Sequence, residues 1–319
     1  MMWRRPSSWL IALMWGMNLV GLSALMGVIV LRLSSKPAVK SIADPPPPAA
    51  PRLLFAPPAT VTPLPTTVQL LPSSVTPSLA PTHSPLAPDR RTVIGFSFAG
   101  RPIEVYTFGN GERKRMIVAG IHGGYEGNTI ALAEELIAWL DAHPDWVPPD
   151  KTLYILRSLN PDGEARGRDK YARSNARNVD LNRNFPVNWR ATWERKGCWN
   201  ELTLSGGAFP GSEPETQALM DFLQLHPVEA LISYHSAALG IFPGGEPWDR
   251  ASIRLARALS EVTGYPFPPI QTGCVYTGTL PDYAVSLGAA AVDVELSNHQ
   301  DTDFEKNLQA LKVFLEWEK

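Results

Sequence analysis

The chain has 319 residues and a formal charge of −2, and its first 90 residues differ in composition from the rest. The remaining part carries 22 basic and 29 acidic side chains, which argues against nucleic acid as a partner because such binding needs a basic surface. Its two cysteines are too few for a disulfide framework or a thiolate metal site. They form either one bridge or two free thiols.

An uncharged apolar segment runs from Trp9 to Leu31. At about 1.5 Å of rise per residue, it is long enough to cross a hydrocarbon core of roughly 30 Å. Cleaved signal peptides have shorter apolar regions. We therefore predict an uncleaved transmembrane anchor over residues 9–31, preceded by a short cytoplasmic segment of residues 1–8. The sequence Ser41-Ile42-Ala43 leaves cleavage and secretion open.

Residues 32–90 are rich in Pro, Ser and Thr and contain few charges. This composition cannot bury a core and favours extended segments. A stalk of this kind that holds a folded domain away from a membrane is commonest outside the cytoplasm. We expect residues 91–319 to form one extracytoplasmic domain tethered to the cell membrane, and we expect residues 41–90 to add no folded propeptide.

In residues 91–319, apolar runs of strand length alternate with helical patterns, which predicts an α/β domain with a largely parallel or mixed sheet. Capping boxes at Ser212 with Glu215 and at Thr302 with Glu305 predict two helix starts. The predicted strands are a pair around residues 99–101, then 115–121, 153–158, one ending near 235 and one ending at 295. The other predicted helices are 128–143 and 249–263.

A long segment between these elements, residues 160–211, has little apolar periodicity. Loops of this length in compact domains usually carry function. Part of it, Arg-Ser-Asn-Ala-Arg-Asn-Val-Asp-Leu-Asn-Arg-Asn-Phe-Pro over residues 173–186, contains three arginines. Guanidinium groups suit a substrate carboxylate or a carbonyl oxygen, although an ordinary surface loop remains the alternative for this segment taken alone.

The sequence His122-Gly-Gly-Tyr-Glu126 comes between a predicted buried strand and a helix. Ligands bind at such strand ends in α/β sheets, and the two glycines let the backbone turn so that His122 and Glu126 face one ion. His235 ends another predicted strand and completes a His₂Glu set typical of zinc hydrolases. The alternative is that both histidines are ordinary polar groups at strand ends.

A zinc-activated water needs a nearby carboxylate base. Glu295 ends an apolar strand, where a bare carboxylate is costly unless it is paired or functional. Asp293 lies two residues earlier on the same face and is the rival for this role.

In this order and at these separations, several motifs resemble those of the zinc carboxypeptidase family, the carboxypeptidase A-like metallopeptidases. The motifs are HGGYE, NPDG, RSNARNVDLNRNFP, FPGSEPET, SYHS and the late Glu295. The compact catalytic part and the sequence GSEPETQAL also resemble a bacterial branch, the murein peptide amidases.

The resemblance implies one Zn²⁺ held by His122, Glu126 and His235, with Glu295 as the base. It also implies a three-layer α/β sandwich with a central mixed sheet of about eight strands. Further roles follow for Arg173, which would polarise the scissile carbonyl, for Asn182 and Arg183, which would bind the substrate's terminal carboxylate, and for Tyr276, which would cap the substrate. Leu280 falls near the position that sets side-chain preference, and the lack of an acid there argues against basic C-terminal residues.

Four functions fit these residues. The first is a metallocarboxypeptidase, and the second is a murein peptide amidase that acts on diaminopimelate-containing peptides. The third is a deacylase of small acylated amino acids, which has less use for a carboxylate clamp at Asn182 and Arg183. The fourth is a non-catalytic peptide-binding module, which would lack the base or a ligand, whereas every expected position is filled.

Overall fold

The computed structural model describes residues 90–319. The predicted cytoplasmic segment, transmembrane anchor and nearly all of the stalk lie outside the described residues. Among the helices that are described, none has both the length and the apolar character needed to cross a membrane.

The predicted alternation of strands and helices is confirmed over the described residues. The strands are β1 Arg91–Phe96, β2 Pro102–Gly109, β3 Arg113–Val118, β4 Lys151–Leu156, β5 Ala230–Ser236, β6 Ile241–Pro243 and β7 Ala290–Leu296. The α-helices are α1 Gly127–Ala142, α2 Pro161–Glu164, α3 Pro214–Leu225, α4 Arg250–Thr263, α5 Leu280–Ser286 and α6 Phe304–Glu316. Two short 3₁₀ helices, Lys170–Ala172 and Leu181–Arg183, lie in the segment between α2 and α3. The sequence patterns missed β6, α2 and α5.

The strands form one mixed sheet in the order β1-β2-β4-β3-β5-β7-β6. The four central strands are parallel to one another, and antiparallel pairs close both sides. The expected count of about eight strands was too high, because the described chain supplies seven. No further strand of residues 90–319 pairs with the outer edge of β1 or of the three-residue β6.

Apolar side chains cover both faces of the sheet, because alternate residues of a strand point to opposite sides. On one face, Ile117 and Ile232 pack with α1, α4 and α6. On the other face, Met116 and Leu231 pack with α3 and α5. The sheet therefore lies between two layers of helices, each of which removes apolar surface from water.

Both predicted capping boxes are wrong, although the two helices begin close to the expected positions. Helix α3 starts at Pro214 without a side-chain cap, because Ser212 donates to the Glu213 carboxylate and Glu215 accepts hydrogen bonds from outside the helix. Helix α6 follows Asp303, also without a side-chain cap. In each case a competing tertiary contact or the local backbone took precedence over the local pattern.

The second face turns polar at the carboxyl ends of β5 and β7. Leu231 is followed on this face by Ser233 and His235, and the neighbouring strand continues with Asp293 and Glu295. The parallel register pairs Ser233 with Asp293 and His235 with Glu295. This edge is therefore where the fold presents chemically reactive side chains.

Candidate metal centre and cleft

Two histidines and one glutamate converge at the carboxyl edge of the sheet. His122 follows β3, Glu126 ends the adjoining 3₁₀ helix, and His235 lies near the end of β5. The His122 Nδ1 atom lies 2.8 Å from Glu126 Oε1, and His235 Nδ1 lies 3.1 Å from Glu126 Oε2. The two Nδ1 atoms are 3.2 Å apart. All three side chains are buried, and the structure brings these three sequence-predicted ligands together.

The turn that carries His122 and Glu126 depends on its two glycines. Gly123 has a φ of +50°, and a Cβ atom there would lie 2.7 Å from the Gly163 backbone. A Cβ on Gly124 would lie 1.8 Å from the Gly167 carbonyl oxygen. The turn therefore packs directly against the segment after β4, which allows no side chain at either position.

The donor set fits a zinc ion. Two nitrogens bound to one tetrahedral zinc at about 2.0–2.1 Å lie roughly 3.4 Å apart, close to the separation of the two Nδ1 atoms. One ligand atom from each of the three residues lies within 4.8 Å of the others. His122 Nε2, on the far side of its ring, lies 3.1 Å from Asp180 Oδ1, which leaves Nδ1 to face the cluster.

The charges within the cluster compensate one another. Burial alone would raise the pKa of Glu126, but His122 and His235 hold it well below its usual value. Burial would likewise lower the pKa of His235, but Asp293 and Glu126 raise it well above its usual value. The cluster therefore keeps Glu126 ionised, the form in which a carboxylate binds metal.

Glu295 lies beside this cluster in a different environment. Burial raises the pKa of its carboxyl to about 8. The nearby Glu126 and Asp293 raise it further, and His235 and Arg173, which lower it, only partly offset these effects. Its Oε2 atom has no hydrogen-bond partner among residues 90–319. A carboxyl group with a pKa near neutrality suits proton transfer.

Arg173 is connected to the cluster by hydrogen bonds to two carboxylates. Its Nη1 atom donates to Glu126 Oε1 at 3.1 Å, and Nε and Nη2 donate to Asp180 Oδ2. Asp180 therefore connects His122 with Arg173, and both hold its pKa well below the usual value despite its burial. The sequence pattern did not single out Asp180, which appeared only inside the motif around Asn182 and Arg183.

Arg183 lies deeper in the same cleft, with Asn182 beside it. Its guanidinium lies between the rings of Trp193 and Tyr276, at 5.3 and 5.2 Å, and burial lowers its pKa. Its Nη1 donates to the Asn182 carbonyl, whereas Nε has no partner within the described part of the chain. A buried cation with an unused donor is suited to bind a carboxylate.

Asn182 is held between the second histidine and helix α5. Its Oδ1 accepts a hydrogen bond from the Leu280 amide, and its Nδ2 lies 3.3 Å from His235 Nε2 and 3.2 Å from Asp293 Oδ2. Leu280 itself is fully buried in the core, whereas Asp282 and Asp293 line the cleft. The sequence argument against basic C-terminal residues therefore fails, because Leu280 does not face the cleft.

A disulfide bond joins two loops that form one wall of the cleft. Cys198 pairs with Cys274, which answers the question that the sequence left open. Next to Cys198, the Trp199 ring lies 4.9 Å from the Arg173 guanidinium, and Trp199 Nε1 donates to the Tyr125 hydroxyl. Tyr276, two residues after Cys274, contacts the Arg183 guanidinium. The cleft has a volume of about 1240 Å³ and contains every site residue that the sequence predicted.

Comparison with known proteins gives one family. A family model described as zinc carboxypeptidase matches residues 86–304. Murein peptide amidase A of Escherichia coli K12 is 31% identical over 148 residues, which are 44% of this chain and 57% of that protein. Mast cell carboxypeptidase A of Rattus norvegicus is 30% identical over 162 residues, 43% of this chain and 39% of that protein. The chain thus spans about half the length of these curated relatives.

A solved structure shares the fold. The murein-tripeptide amidase of Escherichia coli O157 aligns with 73% of this chain and 94% of its own, with a TM-score of 0.54 and 24% identity. This likeness supports the α/β architecture of the described domain.

The raised pKa of Glu295 predicts a pH-dependent cost to stability in zinc-free protein. Between its unfolded value of about 4.5 and its folded value of about 8, the folded state holds a proton that the unfolded state has lost. The free energy of unfolding therefore falls as pH rises, by about 1.4 kcal/mol per unit. Glu295→Gln should remove this slope, so its stability relative to wild type should increase by a few kcal/mol from pH 5 to pH 8.

Urea unfolding of chelator-treated protein at several pH values measures this difference. Glu246→Gln, at an exposed carboxylate of the same cleft, provides the matched baseline. A stability difference between Glu295→Gln and wild type that stays constant with pH would contradict the assignment.

Proposed function

We propose, because this chain belongs to the zinc carboxypeptidase family, that it is a zinc metallopeptidase that hydrolyses the amide bond next to a C-terminal residue. The observation that carries the proposal is the convergence in one cleft of a His-Glu-His set, a carboxyl group of raised pKa and a buried arginine. Each of these groups suits one requirement of that reaction.

His122, Glu126 and His235 would hold the zinc. When bound, zinc supplies a Lewis acid that polarises a carbonyl and lowers the pKa of a water molecule. Glu295 Oε2, which lacks a partner among the described residues, is the atom that would accept the proton from the attacking water. The same carboxyl would then deliver that proton to the leaving amine. Arg173, at the edge of the cluster, would stabilise negative charge on the scissile carbonyl oxygen.

Arg183 would bind the terminal carboxylate of the substrate, with Asn182 beside it. The free Nε donor and the low solvent exposure of the guanidinium support this role, because charge-assisted hydrogen bonds are stronger away from water. Tyr276, 40% exposed at the cleft rim, would cover the bound residue. This clamp is the main argument for a free C-terminal carboxylate in the substrate.

A murein peptide amidase is the second candidate. The sequence likeness to murein peptide amidase A supports it. The acidic cleft residue Asp282 also suits a substrate that carries an amino group. A non-catalytic binding module is disfavoured, because the base and all three candidate ligands are present in one cleft.

The purified protein should release a C-terminal residue from peptides, and a zinc chelator should abolish the release. The substrates are ordinary C-terminal peptides and a diaminopimelate-containing murein tripeptide. Release from ordinary peptides alone indicates a carboxypeptidase, and selective cleavage of the tripeptide indicates a murein peptide amidase. Glu295→Gln should lower kcat by about 10²–10⁴-fold, because a positioned base contributes that much.

Glu246→Gln serves as the control for this experiment, since it alters an exposed carboxylate of the same cleft. If zinc-loaded wild type cleaves neither class of substrate, the catalytic proposal fails and a peptide-binding role takes its place.

Substitution of Arg183 by Met should lower kcat/KM only for substrates that end in a free carboxylate. We expect kcat/KM for such a peptide to fall by about 100-fold, which corresponds to the loss of one buried charge-assisted contact. An amidated version of the same peptide should be a poor substrate for wild type, and the variant should lower its kcat/KM little further. A full double-mutant cycle of enzyme and substrate measures this coupling.

Arg190→Met is the matched control, because Arg190 also lines the cleft but is exposed. Equal losses on free and amidated peptides in Arg183→Met would show that Arg183 does not recognise the carboxylate.

We further propose that the domain lies outside the cytoplasm, tethered through residues 9–31. The Cys198–Cys274 bond supports this, because disulfides persist mainly in oxidising compartments. In cells that express the full chain, alkylation under immediate denaturation should label neither of its two cysteines before reduction and both after it. Labelling of both thiols before reduction would contradict the extracytoplasmic location.

A further inference from the structure

Asp293 lies in the cleft but has no part in the reaction described above. It faces the same side of β7 as Glu295 and is paired in register with Ser233 of β5. Its Oδ2 atom accepts a hydrogen bond from Asn182 Nδ2 at 3.2 Å. Its Oδ1 atom is shielded from solvent and has no hydrogen-bond partner among the described residues. An enclosed carboxylate oxygen without a partner is costly.

The far side of the His235 ring faces this oxygen. The distance from Asp293 Oδ1 to His235 Nε2 is 3.2 Å. His235 Nδ1 faces Glu126 and His122. If Nδ1 offers its lone pair to a metal, a neutral imidazole must carry its proton on Nε2. That N–H group then requires an acceptor.

Three groups surround His235 Nε2, and they are not equivalent. Asn182 Nδ2, at 3.3 Å, is itself a donor, and Asn182 Oδ1 is held by the Leu280 amide. Ser233 Oγ, at 3.1 Å, is a neutral acceptor. Asp293 Oδ1 is a carboxylate oxygen, and charge-assisted hydrogen bonds are about twice as strong as neutral ones.

The first histidine shows the same arrangement. His122 Nε2 lies 3.1 Å from Asp180 Oδ1. A carboxylate behind a ligand histidine fixes the ring orientation and tautomer and makes the ligand nitrogen more basic. On β7 the two-residue spacing of Asp293 and Glu295 places one carboxylate behind His235 and the other beside the cluster.

We propose that Asp293 is a positioning residue that holds His235 by its Nε2 atom, so that Nδ1 faces the zinc and binds it more tightly. The inference rests on the zinc site of the proposed function. It also separates the two carboxylates of β7, since Asp293 serves the ligand and Glu295 serves the substrate.

Zinc affinity of the full-length protein tests this inference. Competition between the protein and a chromophoric chelator gives the dissociation constant for Zn²⁺ alone, without any substrate. Asp293→Ala should weaken zinc binding by about 10–100-fold, the usual effect of removing such a partner. Asp293→Asn should weaken it less, because the amide oxygen still accepts the Nε2 proton but carries no full charge.

Two variants serve as controls. Asp282→Asn changes another cleft carboxylate, which accepts a hydrogen bond from the Gly245 amide and does not contact the cluster. Ser233→Ala removes the competing acceptor. Both should leave zinc affinity within about threefold of wild type. The visible spectrum of the Co²⁺-substituted protein should change in the Asp293 variants and stay unchanged in these two.

The outcomes separate the inference from the function on which it rests. If wild type binds no zinc, both fail. If wild type binds zinc and the Asp293 variants bind it equally well, only the positioning role fails. Weaker zinc binding in Ser233→Ala, with unchanged binding in the Asp293 variants, would also overturn the positioning role. Should Asp293→Ala fail to fold, Asp293→Asn together with its Co²⁺ spectrum decides between these results.

Discussion

The candidate site depends on the parallel pairing of β5 with β7, because this register sets His235 level with Glu295 and Ser233 level with Asp293. Paired residues of neighbouring parallel strands point to the same face. The apolar alternation of both strands buries one face continuously, so the opposite face is fixed along their whole length. A slip of one residue in either strand would turn the two polar side chains of that strand into the core, and the hydrophobic pattern therefore also fixes the site.

Burial of so many charges at this edge is possible because each has a compensating neighbour. Glu126 meets two histidines, Asp180 meets His122 and Arg173, and His235 lies near Asp293. Glu295 is compensated less well, since one of its oxygens lacks a partner among residues 90–319 and its pKa is raised to about 8. A carboxyl group with a raised pKa inside such a network is favoured for proton transfer.

The wall of the cleft is built from segments with little regular structure. Residues between α2 and α3 supply Arg173, Asn182 and Arg183, and the loop that carries Tyr276 is joined to this segment by the Cys198–Cys274 bond. Stacking of the Arg183 guanidinium against Trp193 and Tyr276 connects these loops further. The cleft is therefore shaped by crosslinks and contacts between loops, and the rigid sheet supplies part of the metal centre.

The sequence by itself determined the α/β class, six of the strands, four of the helices and the grouping of His122, Glu126, His235 and Glu295, because periodicity and strand-end position are local properties of the chain. The tertiary structure alone decided the seven-strand order, the short β6 and the failed capping boxes. It also decided the partners of Asp180 and Asp293, the burial of Leu280 and the disulfide. These depend on which distant segments meet, and burial and charge compensation act only between groups that the fold has brought together.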